Sequence, residues 1–402
     1  MRILISGASI AGPVLAYWLN RYGFDVTVIE RAAAPGAPGG HAVDLFRPAL
    51  DISERMGVLP RIEARSMRGD RMTVYREGRQ RPAEIDLGRD HPAAPDRHVE
   101  ILRDDLSEIY REASRADVEY LFGDSITGID HDGEVTFERA EPRRFDVVVG
   151  ADGAHSTVRR LTFGAGAGVT RFLGGYLAVL SAPKALADPG GRIGHVGPGR
   201  FAGIYTAEHL DDARVVLLFR GTEDVDHDPS DTARQRESVR AAFAGMHEQV
   251  DGWLAQLDSA APFYCDAITQ LRMDIWSRRR VTLVGDAGYS PGPAVGGSTS
   301  LAVLGAYVLA GELASADGDH LHAFAAYELR MHHAVHRSRA FARDAARSVV
   351  PASRAGAWAL LRGATSASRA PEPLSRVLGR RVAKARRAHE RMPVPDYGGA
   401  DV

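Results

Sequence analysis

Residues 2–13 read Arg2-Ile3-Leu4-Ile5-Ser6-Gly7-Ala8-Ser9-Ile10-Ala11-Gly12-Pro13. The short apolar run 2–6 has the texture of a buried strand. Gly7 to Gly12 is a turn, and Pro13 to Tyr22 then carries Val14, Leu15, Trp18 and Leu19 at helical spacing. Gly23 ends that helix, and Val26 to Ile29 is a second apolar strand closing on Glu30-Arg31. This is the opening of a right-handed, parallel βαβ unit. Its turn departs from G-x-G-x-x-G at the second glycine, which is Ser9. Gly7 permits the tight turn, Ser9 is small enough for close approach of a pyrophosphate, and Gly12 lets the helix pack on the strand. Ile10 and Ala11 complete a loop whose helix N-terminus offers unpaired N–H groups to phosphate. Glu30 follows Gly7 by 23 residues, where a carboxylate accepts hydrogen bonds from a ribose diol. Two other readings stay open on this motif alone. One is a glycine-rich turn with no ligand; the other is a nucleophile elbow, which fails at Ala11.

Two later segments repeat the logic of a buried strand ending in small residues and an acid. One is Gly150-Ala151-Asp152-Gly153-Ala154-His155-Ser156-Thr157-Val158-Arg159, after Val147 to Val149. The other is Val281-Thr282-Leu283-Val284-Gly285-Asp286-Ala287, followed by Pro291, Pro293 and Gly296-Gly297-Ser298. A carboxylate at the carboxyl end of a strand points into the ligand crevice of an open α/β sheet. Gly296-Gly297-Ser298 opens a helix to Leu313, whose positive end favours negative charge.

Three motifs in this order and at these separations resemble the flavoprotein monooxygenase family of para-hydroxybenzoate hydroxylase and the tetracycline-inactivating monooxygenases. The match covers roughly residues 1–160 and 270–315. The resemblance implies a Rossmann-like α/β FAD-binding domain with a parallel sheet. This would be interleaved with a mostly antiparallel β substrate domain and followed by a helical C-terminal segment. It implies FAD as cofactor, with NAD(P)H as co-substrate and dioxygen adding at flavin C4a as a hydroperoxide that oxygenates a small aromatic or polyketide-like molecule. Gly7, Ser9, Ile10, Ala11 and Gly12 would hold the pyrophosphate, and Glu30 the adenosine ribose. Arg103, at the start of a helix, would contact FAD, and Asp286 the ribityl chain. Asp44 resembles the loop beside the flavin ring, and Pro293 with Gly296, Gly297 and Ser298 would line the pyrimidine edge. Arg31, His41, Asp152 and Gly285 complete the expected cofactor set. Tyr289 stands where the family carries histidine, and Ser298 and Ser300 replace its glycine and asparagine. His155-Ser156 matches well but takes no assigned step, and no catalytic acid or base is named.

The remaining chain divides by texture. Residues 1–72, 99–169 and 274–318 read as the FAD-binding domain, 73–98 and 170–273 as the substrate domain, and 319–402 as C-terminal helices. Strands are expected at 118–122, 145–149, 176–180, 192–196, 201–205 and 215–220, with a hairpin turning at Asp132-Gly133. One helix is expected from about 232 to 257, and short helices broken by Pro351, Pro371 and Pro373 near the end. Tyr176, Tyr205, Phe219 and Tyr264 are candidates to line the substrate pocket, against the plainer reading of core packing.

Composition narrows the alternatives. A net charge of −2 over 402 residues leaves no footprint for nucleic acid. Cys265 is the single cysteine, which excludes an intrachain disulfide or a cysteine-cluster metal site and fits a cytoplasmic setting. No run reaches the roughly 20 apolar residues of a membrane helix, and the N-terminus reads as strand rather than leader. His332, His333 and His336 lack a carboxylate to complete a metal signature. Residues 337–391 carry fourteen basic and three acidic side chains, read as a solvated helical face. The partners expected are a small molecule and O2, with a monomer or homodimer. Two rival classes remain. In a non-redox flavoprotein, FAD would shape a cyclisation or rearrangement site. A flavin-dependent halogenase is disfavoured because Trp18, Trp253, Trp276 and Trp358 are isolated.

Overall fold

The computed structural model describes residues 1–35, 40–67, 71–86, 98–188, 191–222, 231–259, 262–292, 297–369 and 392–398. Pro293, Gly296, Pro371 and Pro373 lie outside the described residues.

The opening motif folds as β1 (Arg2–Ser6), α1 (Ala11–Arg21) and β2 (Asp25–Glu30). Val14, Leu15 and Leu19 are fully buried, so the helical stripe read from the sequence is the packing face. β3 (Ala42–Phe46) leads into α2 (Arg47–Arg55) and α3 (Leu59–Ala64), and β4 (Arg71–Arg76) pairs antiparallel with β5 (Ala83–Asp86). β6 (His98–Leu102) runs straight into α4 (Arg103–Ser114). Next come β7 (Glu119–Phe122), the hairpin β8 (Ile126–Ile129) and β9 (Glu134–Phe137), and β10 (Arg143–Arg144). β11 (Val147–Gly150) and α5 (Thr157–Phe163) carry the second motif.

Four strands follow: β12 (Val169–Pro183), β13 (Arg192–Gly197), β14 (Arg200–Tyr205) and β15 (Asp212–Arg220). The expected helix 232–257 is two helices, α6 (Thr232–Phe243) and α7 (Glu248–Leu254). Gly245 at φ +65° lies in the break, and the His247 side chain accepts the Gln249 N–H to start the second helix. A ten-residue strand that the sequence reading missed, β16 (Phe263–Arg272), comes next. β17 (Ser277–Arg278), β18 (Val281–Leu283) and α8 (Asp286–Tyr289) hold the third motif. α9 (Ser298–Ser315), α10 (His320–Val349) and α11 (Arg354–Arg369) complete the described elements. Pro351 separates α10 from α11, and the stretch beyond it forms one helix of 16 residues with no proline inside.

The described strands include two large sheets. One has the order β17-β18-β11-β1-β2-β7, parallel except at β17. The other has the order β16-β12-β15-β14-β13-β4-β5, antiparallel except where β13 meets β4. The strand pair β3–β6 brings Ala42, Val43, Asp44 and Glu100 to a cavity whose other wall is the second sheet. α9 is apolar enough to cross a membrane by composition, but it is the central core helix, 78% buried and packed on α1, α2 and α10.

Candidate functional site

The first motif is held by backbone contacts that only glycine allows. Gly7 has φ +110°, and a Cβ there would lie 2.5 Å from the carbonyl oxygen of Ala151. A Cβ on Gly12 would meet the carbonyl of Gly7 itself. Glu30 sits at the end of β2 and turns back to the loop. Its carboxylate accepts the Ala8 N–H and the Ala32 N–H, each at 2.9 Å. From α4, Ser107 Oγ donates to the carbonyl of Ser9 at 2.9 Å. Ile10 caps α1 with no side-chain bond, so the first turn relies on other acceptors for its N–H groups. Arg31 is exposed beside Glu30.

The other two motifs converge on this loop. A Cβ on Gly285, at φ +66°, would stand 3.4 Å from Ala11 and 3.3 Å from Ala302. The third motif therefore lies against the starts of both α1 and α9. Asp286 opens α8 half-buried, and burial raises its carboxyl above the ordinary range, opposed by a hydrogen bond with Ser290 and by Arg103. Arg159 joins the motifs by donating to the Ala287 carbonyl at 2.8 Å. Asp152, in the expected cofactor set, has a local structural task. Its carboxylate accepts from Ser156 Oγ and from the Thr157 and Val158 N–H groups, so it caps α5. His155 reaches across to Asp266 on β16 at 3.0 Å.

The β3 segment forms the next edge. Gly40 N donates to Asp104 at 2.8 Å, and a Cβ at Gly40 would overlap that carboxylate. Arg103 N donates to the His41 carbonyl at 3.1 Å. Burial, reinforced by Arg103, lowers the His41 imidazole to about 4. Gly297, at φ +100°, starts α9, and Ser298 is its first residue. Ser300 Oγ accepts the Phe46 N–H at 2.9 Å, so this departure from the family pattern anchors β3. Tyr289 is buried, with its hydroxyl 2.9 Å from that of Tyr327.

A cavity of about 230 Å³ opens between this edge and the seven-stranded sheet. Leu177, Phe201, Val216 and Leu218 form its apolar wall; His41 to Asp44 and Gly297 to Thr299 face them. Tyr205, Glu100 and Arg192 make its polar end. Of the four aromatic candidates, the structure brings only Tyr205 to this cavity. Leu177 and Leu218 point into it, so their neighbours Tyr176 and Phe219 must point away. Those two stack on each other at 5.3 Å on the far face, and Phe219 packs edge-on against Phe243 of α6. Tyr264 is partly exposed, near Asp266, and outside the lining. The sequence reading missed Glu100, Arg192 and His98. The usable signal was a charge placed inside or at the start of an otherwise apolar strand.

The residues present fit a flavin dinucleotide. They supply a glycine cradle at a helix N-terminus, a carboxylate at the ribose position and a second, half-buried carboxylate beyond it. Comparison with known proteins agrees. A family model described as FAD binding domain matches residues 1–320, and the chain belongs to that family. A flavin-dependent monooxygenase from an unknown prokaryotic organism is 34% identical over 349 residues, covering 85% of this chain and 88% of the relative. Another, from Legionella longbeachae, is 33% identical over 81% of this chain and 84% of its own length. The crystal structure of tetracycline destructase Tet(55) superposes with a TM-score of 0.84 at 30% identity over 98% of both chains. Klebsiella pneumoniae HpxO complexed with FAD and uric acid shares the fold, with a TM-score of 0.71 at 20% identity over 96% of this chain and 97% of that one. The protein is a flavoprotein oxidoreductase of the flavin-dependent monooxygenase group, with FAD as its cofactor.

Proposed function

We propose that this chain is a monooxygenase that uses NAD(P)H and O2 to hydroxylate, or otherwise oxygenate, a small aromatic or polyketide-like substrate. The observation that carries the reading is the convergence of three motif loops beside a largely apolar cavity with one polar end. When bound, FAD supplies the two-electron chemistry and the activation of dioxygen.

The protein's own residues position and shield. Glu30 would hold the adenosine ribose, and Gly7 to Gly12 with the α1 N-terminus the pyrophosphate. Asp286 would hold the ribityl chain, with Arg103 close enough to offset its charge. Gly297 and Ser298 would present the start of α9 to the flavin's pyrimidine edge, where the helix dipole favours negative charge. His41 to Asp44 would bound the ring's other side. Leu177, Phe201, Val216 and Leu218 would exclude water and hold a flat substrate near the ring. The segments 1–72, 99–169 and 274–318 act in this reading as the cofactor domain, and 73–98 with 170–273 as the substrate domain.

The test is an anaerobic titration of the flavin-loaded protein with NADPH and NADH, with and without phenolic and polyketide compounds. Bleaching of the flavin bands that some compound accelerates is the expected result. Flavin that neither nucleotide reduces under any condition would transfer the function to the non-redox class.

A further inference from the structure

A second cavity, of about 410 Å³, opens where the start of β12, the end of β15 and α10 meet. Arg171 enters it from β12 and Arg343 from α10. Arg171 is exposed and Arg343 half-buried, and neither has a hydrogen bond or ion pair with any of the described residues. No carboxylate lines the cavity among the described residues. Arg339 stands one helical turn before Arg343. Burial, then the charge of Arg272, lowers the Arg339 guanidinium to about 10, against the pull of Asp274. Like charges gathered without a counter-ion work against the folded state, so the cluster calls for an anion.

The backbone beside Arg171 is shaped to receive one. The register between β12 and β16 slips between Phe172 and Tyr176, and neither Leu173 nor Gly174 has a residue opposite it in the β16 or the β15 ladder. Gly174 is at φ +92°, with open space where a Cβ would point. Bulges of this kind take main-chain groups out of the ladder and gather beside functional sites. Leu173 also packs on the cluster of Leu177, Leu218 and Val350, and Leu177 and Leu218 wall the first cavity. The two cavities are therefore neighbours across one aliphatic layer.

We propose, resting on the monooxygenase reading above, that Arg171 and Arg343 bind the 2′-phosphate of NADPH at the glycine bulge of β12, so that the chain prefers NADPH to NADH. A phosphomonoester carries a charge of about −1.5 to −2 at pH 7 and three acceptor oxygens. That charge matches two guanidiniums, whereas a lone carboxylate would leave one of them uncompensated. Each planar fork can grip two phosphate oxygens at once. The 2′-phosphate is also the one group by which the two nucleotides differ, and arginine is the residue that accommodates it in nucleotide-binding folds. The cavity is larger than a phosphate needs, which leaves room for part of the adenosine. Arg171 and Arg343 are specificity-determining in this assignment, and no bond is made or broken at either.

The experiment measures binding of NADP⁺ and NAD⁺ to the FAD-loaded protein by calorimetry. The oxidised nucleotides cannot reduce the flavin, so binding is separated from turnover. NADP⁺ is expected to bind about tenfold or more tighter than NAD⁺, the scale of hydrogen bonds between charged groups. Arg171→Gln and Arg343→Gln should each remove most of that difference, with flavin content and melting temperature near wild type. Arg171→Lys should keep part of it, because the charge remains and the fork is lost; being exposed, this position also covers the case of an Arg343 variant that does not fold. Flavin that neither NADPH nor NADH reduces would count against the proposed function and leave this comparison standing. Equal affinity for the two nucleotides, with or without a loss in the variants, would overturn the inference, as would an NADP⁺ preference that the variants leave unchanged. Binding of neither nucleotide would overturn it too, and would turn attention to the chain's own acids Glu223, Asp224, Asp226 and Asp228, which follow Thr222 in the sequence.

Discussion

A Cβ atom on Gly12 would stand 1.9 Å from the carbonyl oxygen of Gly7, so the start of α1 and the end of β1 are in direct backbone contact. The clash partner is main chain, and no rotamer relieves it. Gly12→Ala is expected to push α1 off the sheet and spoil the phosphate cradle. Overpacking of this kind costs about 1–3 kcal/mol. A thermal melt and the flavin-to-protein ratio check it: both should fall, and wild-type flavin content would show that the close approach is dispensable.

Asp286 is half-buried, with its carboxyl raised by burial and steadied by Ser290 and Arg103. If it holds the ribityl chain, Asp286→Ala should weaken FAD at least about tenfold, the loss of one charge-assisted hydrogen bond. Reconstitution of apoprotein with FAD measures this directly. Because the half-buried carboxyl is unfavourable by itself, the apoprotein should melt no lower than wild-type apoprotein.

His195, whose ring packs against α7, makes a pH prediction. It is 1% exposed, stacked on Tyr75 at 5.1 Å, edge-on to Trp253 and 3.0 Å from Gln249. Burial, with help from His247, lowers its imidazole from 6.5 to about 4. The folded value lies below the unfolded one, so the unfolded chain takes up the proton first as pH falls. The stabilisation is complete above about pH 6.5 and is lost as pH drops toward 4. Between pH 7 and pH 4 the wild type should lose roughly 1–3 kcal/mol more than His195→Gln. Urea melts at a series of pH values give the difference, and parallel curves would refute the assignment.

Residues 392–398 return to the first sheet's helices. Met392 is buried in the main core, and the Pro395 carbonyl accepts from Tyr307 Oη at 3.0 Å and Arg55 Nη1 at 2.9 Å. Tyr397 lies across Gly311 and donates to Glu312 at 2.7 Å. Deleting residues 392–402 should cost about 2–4 kcal/mol, the scale of removing one large buried side chain and its hydrogen bonds. Gly311→Val should reproduce most of the loss by displacing the Tyr397 ring. Denaturant midpoints of the two variants settle it.

What could be read in advance follows from how local each signal was. Strand, glycine turn and helix are adjacent in residues 2–22, and they fold where periodicity puts them. The same holds for Gly285-Asp286 and for the long apolar helix that begins at Ser298. β3 and β16 escaped notice because they lack a strict alternation of apolar and polar residues. Phe263 to Arg272 puts Tyr264 and Asp266 on the face shared with Val179 and Leu177, and Gln270 is buried against Pro291 and Arg339. The polar end of the cavity was invisible for another reason. Glu100 and Arg192 are 92 positions apart, and only the stacking of two sheets brings them together. Tyr176 and Phe219 were the natural aromatic picks, but strand parity, which depends on register, turns them outward.

The seven-stranded sheet contains one parallel junction, where β13 lies beside β4 with Ile193 opposite Thr73. Its wall over the cavity is thus stitched from two stretches of chain separated by the whole second motif. Exchanging residues 169–272 for the corresponding stretch of a relative would leave β4 and β5 facing a foreign edge strand. A graft that changes substrate choice has to carry both pieces, with Met72 travelling alongside Arg192.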